Sequence, residues 1–319
     1  MNYKTRKGES MLKKTLLIFS FFLTSSFVIA SDLIGNACDG LNPPLGKSIV
    51  SLQHEGKNRS YRLYVPKNYR TDNPTPLLIN YHGTGSNAEQ QALYSDMDRV
   101  ADENNFIHVS PQGLDLDGRP VFNAGLTMQS PANKRDFSKE PRDDVDFSTK
   151  IIEDISNKYC VNEKKIYATG MSNGGRMSYR IGCDAADKFA AIAPVAGVLS
   201  LPEEDCQPSK PVPSIAFHGT LDSISSYYKA GGFSTMGALE MFSLWAKKNQ
   251  CEGEPVETFK KIDIICKSYL SCKDDVEVKF CTVKGGGHCW PGRPCRFGSR
   301  SPISASDMIA EFLLRFERT

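Results

Sequence analysis

The stretch Lys164-Lys165-Ile166-Tyr167-Ala168-Thr169-Gly170-Met171-Ser172-Asn173-Gly174-Gly175 constrains this chain more than any other. β-Branched and aromatic residues lead into a tight turn, and a glycine pair follows it. That order predicts a buried strand, a sharp turn carrying a serine, and the start of a helix. The turn, Gly170-Met171-Ser172-Asn173-Gly174, has a G-x-S-x-G pattern. In such an elbow the serine sits on a strained strand-to-helix turn and its hydroxyl projects from the sheet edge. Small flanking residues are needed because neighbouring backbone passes close by. The pentapeptide alone is near chance; its setting makes Ser172 a candidate nucleophile.

The rest of the chain alternates in the same way. Tyr61–Val65 alternates apolar and polar residues and predicts a half-exposed strand. Pro76–Tyr81, Phe106–Pro111, Ala190–Val198 and Pro213–Gly219 are short apolar runs suited to buried strands, and Val276–Val283 alternates as a last strand. Helical periodicity marks Asn87–Glu103, with Asn87 as N-cap, then Asp143 to about Tyr159, Met236–Lys248 and Ser304–Phe316. Asp143, Asp144 and Asp146 suit the first turn of a helix, since no loop of oxygen ligands at fixed spacing accompanies them. Strands alternating with helices imply an α/β fold, a mostly parallel central sheet with helices on both faces. The long polar stretch Gly113–Arg142 breaks the rhythm and is expected to form part of a specificity wall.

The first thirty residues stand apart. Lys13 and Lys14 precede an apolar run from Leu16 to Ile29, and Val28-Ile29-Ala30 offers a cleavage site. This is a secretory signal peptide pattern. A transmembrane anchor fits less well, because Ser20, Thr24, Ser25 and Ser26 interrupt a run already short of the ~20 apolar residues a span wants. Residues 1–30 are therefore expected to be removed, leaving residues 31–319 as one domain, secreted to the periplasm or beyond and off the membrane. Setting them aside removes five basic and one acidic residue and leaves 34 basic against 36 acidic side chains. Nothing then argues for nucleic acid as a partner. Ten cysteines behind a signal peptide read as up to five disulfides. Proximity suggests Cys183 with Cys206 and Cys289 with Cys295. No C-x-x-C pair occurs, only five histidines are present, and no metal site is expected.

Ligands in open α/β sheets sit beyond the carboxyl ends of the strands. The serine turn, His82-Gly83, the turn after His218 and the glycines before His288 all fall there. A serine hydroxyl needs an adjacent base, and histidine suits the task. Where the triad runs Ser, then Asp or Glu, then His, only His218 and His288 follow Ser172. His288 lies in Gly285-Gly286-Gly287-His288-Cys289-Trp290-Pro291-Gly292, an accessible glycine-rich loop, and is the expected base. Asp222, on the loop after His218, is the expected acid, with Glu203, Glu204 and Asp205 as replacements. The N–H groups of Asn173 and Thr84 are the expected oxyanion donors. Trp290 is read as either core or a substrate wall, and enters here as a candidate substrate-binding residue. His82 and His218 are read as structural residues near the site.

Tyr81-His82-Gly83, Asp143-Asp144-Val145-Asp146-Phe147, Gly170–Gly175, His218-Gly219-Thr220-Leu221-Asp222 and Gly287–Gly292 together resemble the secreted poly(3-hydroxybutyrate) depolymerase and feruloyl esterase family. The resemblance spans Tyr61 to Gly292. It implies an α/β-hydrolase fold and a serine carboxylesterase without cofactor, with Ser172 as nucleophile, Asp222 as acid and His288 as base. It implies an ester partner: hydroxyalkanoate esters first, with feruloyl or acetyl-xylan esters as the alternative. Thr84 stands where polyester-degrading members often carry cysteine, so a disulfide there is not expected. Members acting on solid polyester usually carry an appended binding domain, and none is expected here. Soluble esters or oligomers are therefore expected, and a monomer. The reading from another class is a catalytically inactive hydrolase-fold binding protein.

Overall fold

The computed structural model describes Cys38, Leu41, residues 43–125, 143–231, 234–295 and 298–318, together with the backbone of 128–130 and 133–135. The expected signal peptide lies outside the described residues. The described residues belong to one compact unit, Asn36–Thr319.

Six parallel strands carry the centre of the main sheet. They are β3 (Thr75–Tyr81), β4 (Ile107–Pro111), β9 (Val161–Met171), β10 (Ala191–Val195), β11 (Ser214–Gly219) and β14 (Val278–Val283). Antiparallel strands extend both edges: β1 (Gly46–His54) and β2 (Lys57–Val65) beside β4, and β13 (Ile264–Tyr269) and β12 (Val256–Lys261) beside β14. The order is β1-β2-β4-β3-β9-β10-β11-β14-β13-β12 among the described residues. Two small hairpins lie apart, β5 (Leu114–Leu116) with β6 (Arg119–Val121) and β7 (Met128–Ser130) with β8 (Asn133–Arg135).

The period of two along each strand feeds two cores. Leu77, Ile79, Tyr81, Ala168 and Ile192 face α3 (Asp144–Ser156), α4 (Asn173–Asp184) and α5 (Ala238–Lys248). Leu78, Tyr167, Ala191, Ala193 and Ile215 face α2 (Met97–Asn104) and α6 (Ala305–Leu313). Helices thus cover both faces, as expected, and the chain has the α/β-hydrolase fold.

Three expectations change. The single helix expected over Asn87–Glu103 is two, α1 (Ala88–Ser95) and α2. Asp96 between them adopts φ 57°, which an aspartate tolerates better than most residues. The strand read as half-exposed is largely buried: Tyr61, Arg62 and Leu63 are covered because β2 is an inner strand, flanked by β1 and β4. Strands β1, β12 and β13 had no counterpart in the sequence reading.

All ten cysteines are paired: Cys38–Cys160, Cys183–Cys206, Cys251–Cys272, Cys266–Cys281 and Cys289–Cys295. Both pairs expected from proximity are present.

Candidate active site

Ser172 lies between β9 and α4 with φ 58° and ψ −114°. That region strains a side-chain-bearing residue by about 1–3 kcal/mol, so the surroundings must impose it. They do. A Cβ on Gly170 would come 2.6 Å from the Tyr81 carbonyl oxygen, and one on Gly174 would overlap the same group. The Ser172 N–H donates to the Val195 carbonyl at 2.9 Å, which locks the turn to β10.

Asp222 and His288 arrive from the next strand ends. β11 and β14 pair in parallel up to Gly219 and Val283. The loops beyond stay laced: Thr220 N–H donates to the Val283 carbonyl at 3.0 Å, and Leu221 N–H to the Gly286 carbonyl at 2.8 Å. Side chains on Gly219 and Gly286 would block that approach. The result is a hydrogen bond of 2.8 Å between His288 Nδ1 and Asp222 Oδ2. The other carboxylate oxygen accepts the N–H groups of Ile224 and Ser225 at 2.9 and 2.8 Å. Burial raises the Asp222 pKa, but His288, His218 and the Ser225 N–H outweigh it and hold the carboxyl below its usual range. With Nδ1–H committed to Asp222, His288 Nε2 is the basic nitrogen. Glu203 points elsewhere and pairs with Lys247.

His288 and Ser172 line one cavity of ≈ 620 Å³. Gly83, Thr84 and Met171 form its floor, and Gln90, Leu93, Tyr94, Arg293 and Pro294 its wall. Leu93 on α1 is 61% exposed and lines this cavity. Trp290 does not line it. Its ring is fully buried and donates from Nε1 to Ser306 Oγ at 2.9 Å on the α6 face, so the substrate-wall reading is corrected to a core residue. The wall instead comes from the far end of the same loop, closed by Cys289–Cys295. Tyr94 holds that end, with its hydroxyl on the Pro294 carbonyl at 2.9 Å.

The Asn173 N–H opens α4 and has no intrahelical acceptor. Its side chain grips the Phe122 backbone through both amide atoms, at 2.8 and 3.0 Å. Thr84 faces the same cavity from the loop after β3. His82 braces that loop. It donates from Nδ1 to the Gly83 carbonyl at 2.8 Å and accepts the Gly113 N–H on Nε2 at 3.0 Å. Burial pushes its pKa down to about 4, which keeps the imidazole neutral, as both bonds require. The described part of the 113–142 stretch packs behind the site through Gly113 and Phe122; most of 126–142 lies outside the described residues. Asp143 caps α3 by accepting the Asp146 N–H at 2.8 Å, and Asp144 binds Arg59 and the Asn123 N–H, each at 2.6 Å. The acids expected at a helix start are used there.

A buried carboxylate, an imidazole and a strained serine in this order can carry out acyl transfer through the serine oxygen. A model of the prolyl oligopeptidase family matches residues 137–239. The chain is 35% identical to feruloyl esterase B of Piromyces equi over 235 residues, 70% of this chain and 41% of that protein, so it spans less than half of that relative's length. It is 28% identical to feruloyl esterase D of Neurospora crassa over 227 residues, covering 67% of this chain and 70% of that protein. Among solved structures, an acetyl xylan esterase from Aspergillus awamori matches the fold with a TM-score of 0.59 at 14% identity, over 83% of this chain and 98% of that one.

Proposed function

We propose that this chain is a serine carboxylic ester hydrolase acting on feruloyl-type esters of plant polysaccharide. Ser172 Oγ attacks the ester carbonyl carbon as His288 Nε2 takes its proton. Asp222 keeps the imidazole in the required tautomer and stabilises the imidazolium that forms. The Asn173 and Thr84 N–H groups hold the oxyanion. His82 acts on the second donor: the Gly83 carbonyl and the Thr84 N–H belong to one planar peptide unit, so fixing the first aims the second. Collapse of the tetrahedral intermediate expels the alcohol, which takes the proton from His288, and water then releases the acid from Ser172 by the same steps.

The observation that carries the substrate class is the cavity beside Ser172. At ≈ 620 Å³, walled by Leu93, Tyr94 and Pro294, it can accept an aromatic acyl group and is far larger than an acetyl group needs. The feruloyl esterase relatives favour this reading over the hydroxyalkanoate one expected first from sequence. The signal peptide expected over residues 1–30 and the five disulfides support reading the enzyme as secreted. A panel of methyl ferulate, acetylated xylan and 3-hydroxybutyrate oligomers tests it. Methyl ferulate should give the highest kcat/KM, and a preference for the hydroxybutyrate oligomers would overturn the substrate assignment.

A further inference from the structure

Arg176 is a buried cation that the mechanism above does not use. It lies one turn into α4, where its N–H donates to the Ser172 carbonyl at 3.0 Å. The residue is 5% exposed. Its guanidinium meets only hydroxyls among the described residues: Nη1 to Ser200 Oγ at 3.2 Å and Nη2 to Ser234 Oγ at 3.4 Å. A buried charge is costly unless a countercharge compensates it, and neutral hydroxyls do this incompletely.

The hydrogen bonds lead to a countercharge. Ser234 Oγ lies 2.9 Å from Ser225 Oγ, and the Ser225 N–H donates to Asp222 Oδ1 at 2.8 Å. We infer that Arg176 is a positioning residue for the acid of the triad: through Ser234 it fixes Ser225, whose N–H holds Asp222, and its positive charge adds to the groups that favour the carboxylate form of Asp222. Burial pushes the Arg176 pKa down to about 10, and Asp222 is the charge that opposes this. The two attract, yet they do not pair directly among the described contacts, which leaves Asp222 Oδ2 to His288.

The other groups that could favour the carboxylate are few. His218 lies with Nε2 3.4 Å from Asp222 Oδ2 and 2.6 Å from the Ser225 carbonyl; burial disfavours its charged form. Arg293 stands on the cavity wall and leans on Asp96 at 3.5 Å. Arg180, one turn further along α4, pairs with Asp184 at 3.0 Å. Of these cations, only Arg176 reaches Ser225 through hydrogen bonds, by way of Ser234.

A buried positive charge linked to Asp222 disfavours adding a proton to the Asp222–His288 pair. That keeps the triad working to lower pH. Removing the charge should therefore move the acid limb of kcat/KM upward. This inference rests on the triad reading, so parent, Ser172→Ala, Arg176→Gln, Arg176→Met and Arg176→Lys are compared on one p-nitrophenyl ester across pH, with the rate of fluorophosphonate labelling of Ser172 as a second readout. Arg176→Gln should shift both acid limbs upward by about one pH unit. Arg176→Lys should restore them toward the parent. If Gln does not fold there, Met fills similar volume without a buried polar head and takes its place. A neutral variant whose limbs coincide with the parent's overturns the inference, even if its kcat is lower at every pH. Turnover by Ser172→Ala would instead overturn the triad reading itself.

Discussion

Asp222 is the residue on which the site's charge distribution turns. Its carboxylate accepts from His288 and two backbone N–H groups while its side chain is fully buried. Asp222→Asn keeps the shape but can present an N–H to His288 Nδ1 and favour the wrong tautomer. The expected loss in kcat is about 10⁴-fold, with little change in KM. The same residue links stability to pH. Its native pKa is depressed, so the stability it adds is fully present above its unfolded value of about 3.9 and drains away as pH falls through the lower native value. Thermal melts of parent and Asp222→Asn should therefore differ most near neutrality and converge in acid below about pH 4. That Asp222 meets His288, and that His288 shares a cavity with Ser172, is legible in sequence because chain order and strand ends leave few candidates. Arg176 is not, since only its burial sets it apart. Trp290 misleads because adjacency to His288 along the chain says nothing about which side of the loop a ring faces.

At the scale of elements, the nucleophile turn depends on closeness between β3, β9 and α4. A methyl on Gly174 would overlap the Tyr81 carbonyl, and backbone cannot yield as a flexible side chain would. Gly174→Ala should cost more than about 3 kcal/mol, placing it among the most damaging single-methyl changes in the chain; urea unfolding would measure it. The loop proposed to hold the oxyanion depends on His82 in a different way. His82→Ala frees the Gly83 carbonyl and lets the Thr84 N–H wander, so kcat should fall by about 10²-fold with the fold retained. β3, β4, β10 and β11 are readable because each is a short apolar run with nearly every residue buried. β1 and β12 are edge strands with much of their length exposed, and β13 lies beside β12; lysines and acids dilute the apolar signal in that region. The break at Asp96 is invisible to periodicity because α1 and α2 carry apolar residues on both sides of it.

The whole molecule is tied by disulfides of very different reach. Cys38–Cys160 closes a separation of 122 residues and Cys289–Cys295 one of 6. If restriction of the unfolded chain dominates, the first adds roughly 5 kcal/mol and the second about 2 kcal/mol. Replacing Cys38 and Cys160 by serine should lower Tm by roughly 10–20 °C, and replacing Cys289 and Cys295 about half as much. The smaller bridge should show instead in KM, because its loop carries Arg293 and Pro294 on the cavity wall. Sequence proximity identifies Cys183–Cys206 and Cys289–Cys295 but not Cys251–Cys272 or Cys266–Cys281, whose separations of 21 and 15 are no longer but which interleave along the chain; Cys38–Cys160 follows only from the fold.

The central claim is that Ser172 is the nucleophile of an ester hydrolase. It is tested most directly by Ser172→Ala assayed on a p-nitrophenyl ester, with folding followed by thermal melt. Hydrolysis should fall by on the order of 10⁵–10⁶-fold while the melt stays within a few degrees of the parent. A folded Ser172→Ala protein that still turns over the ester would contradict the claim.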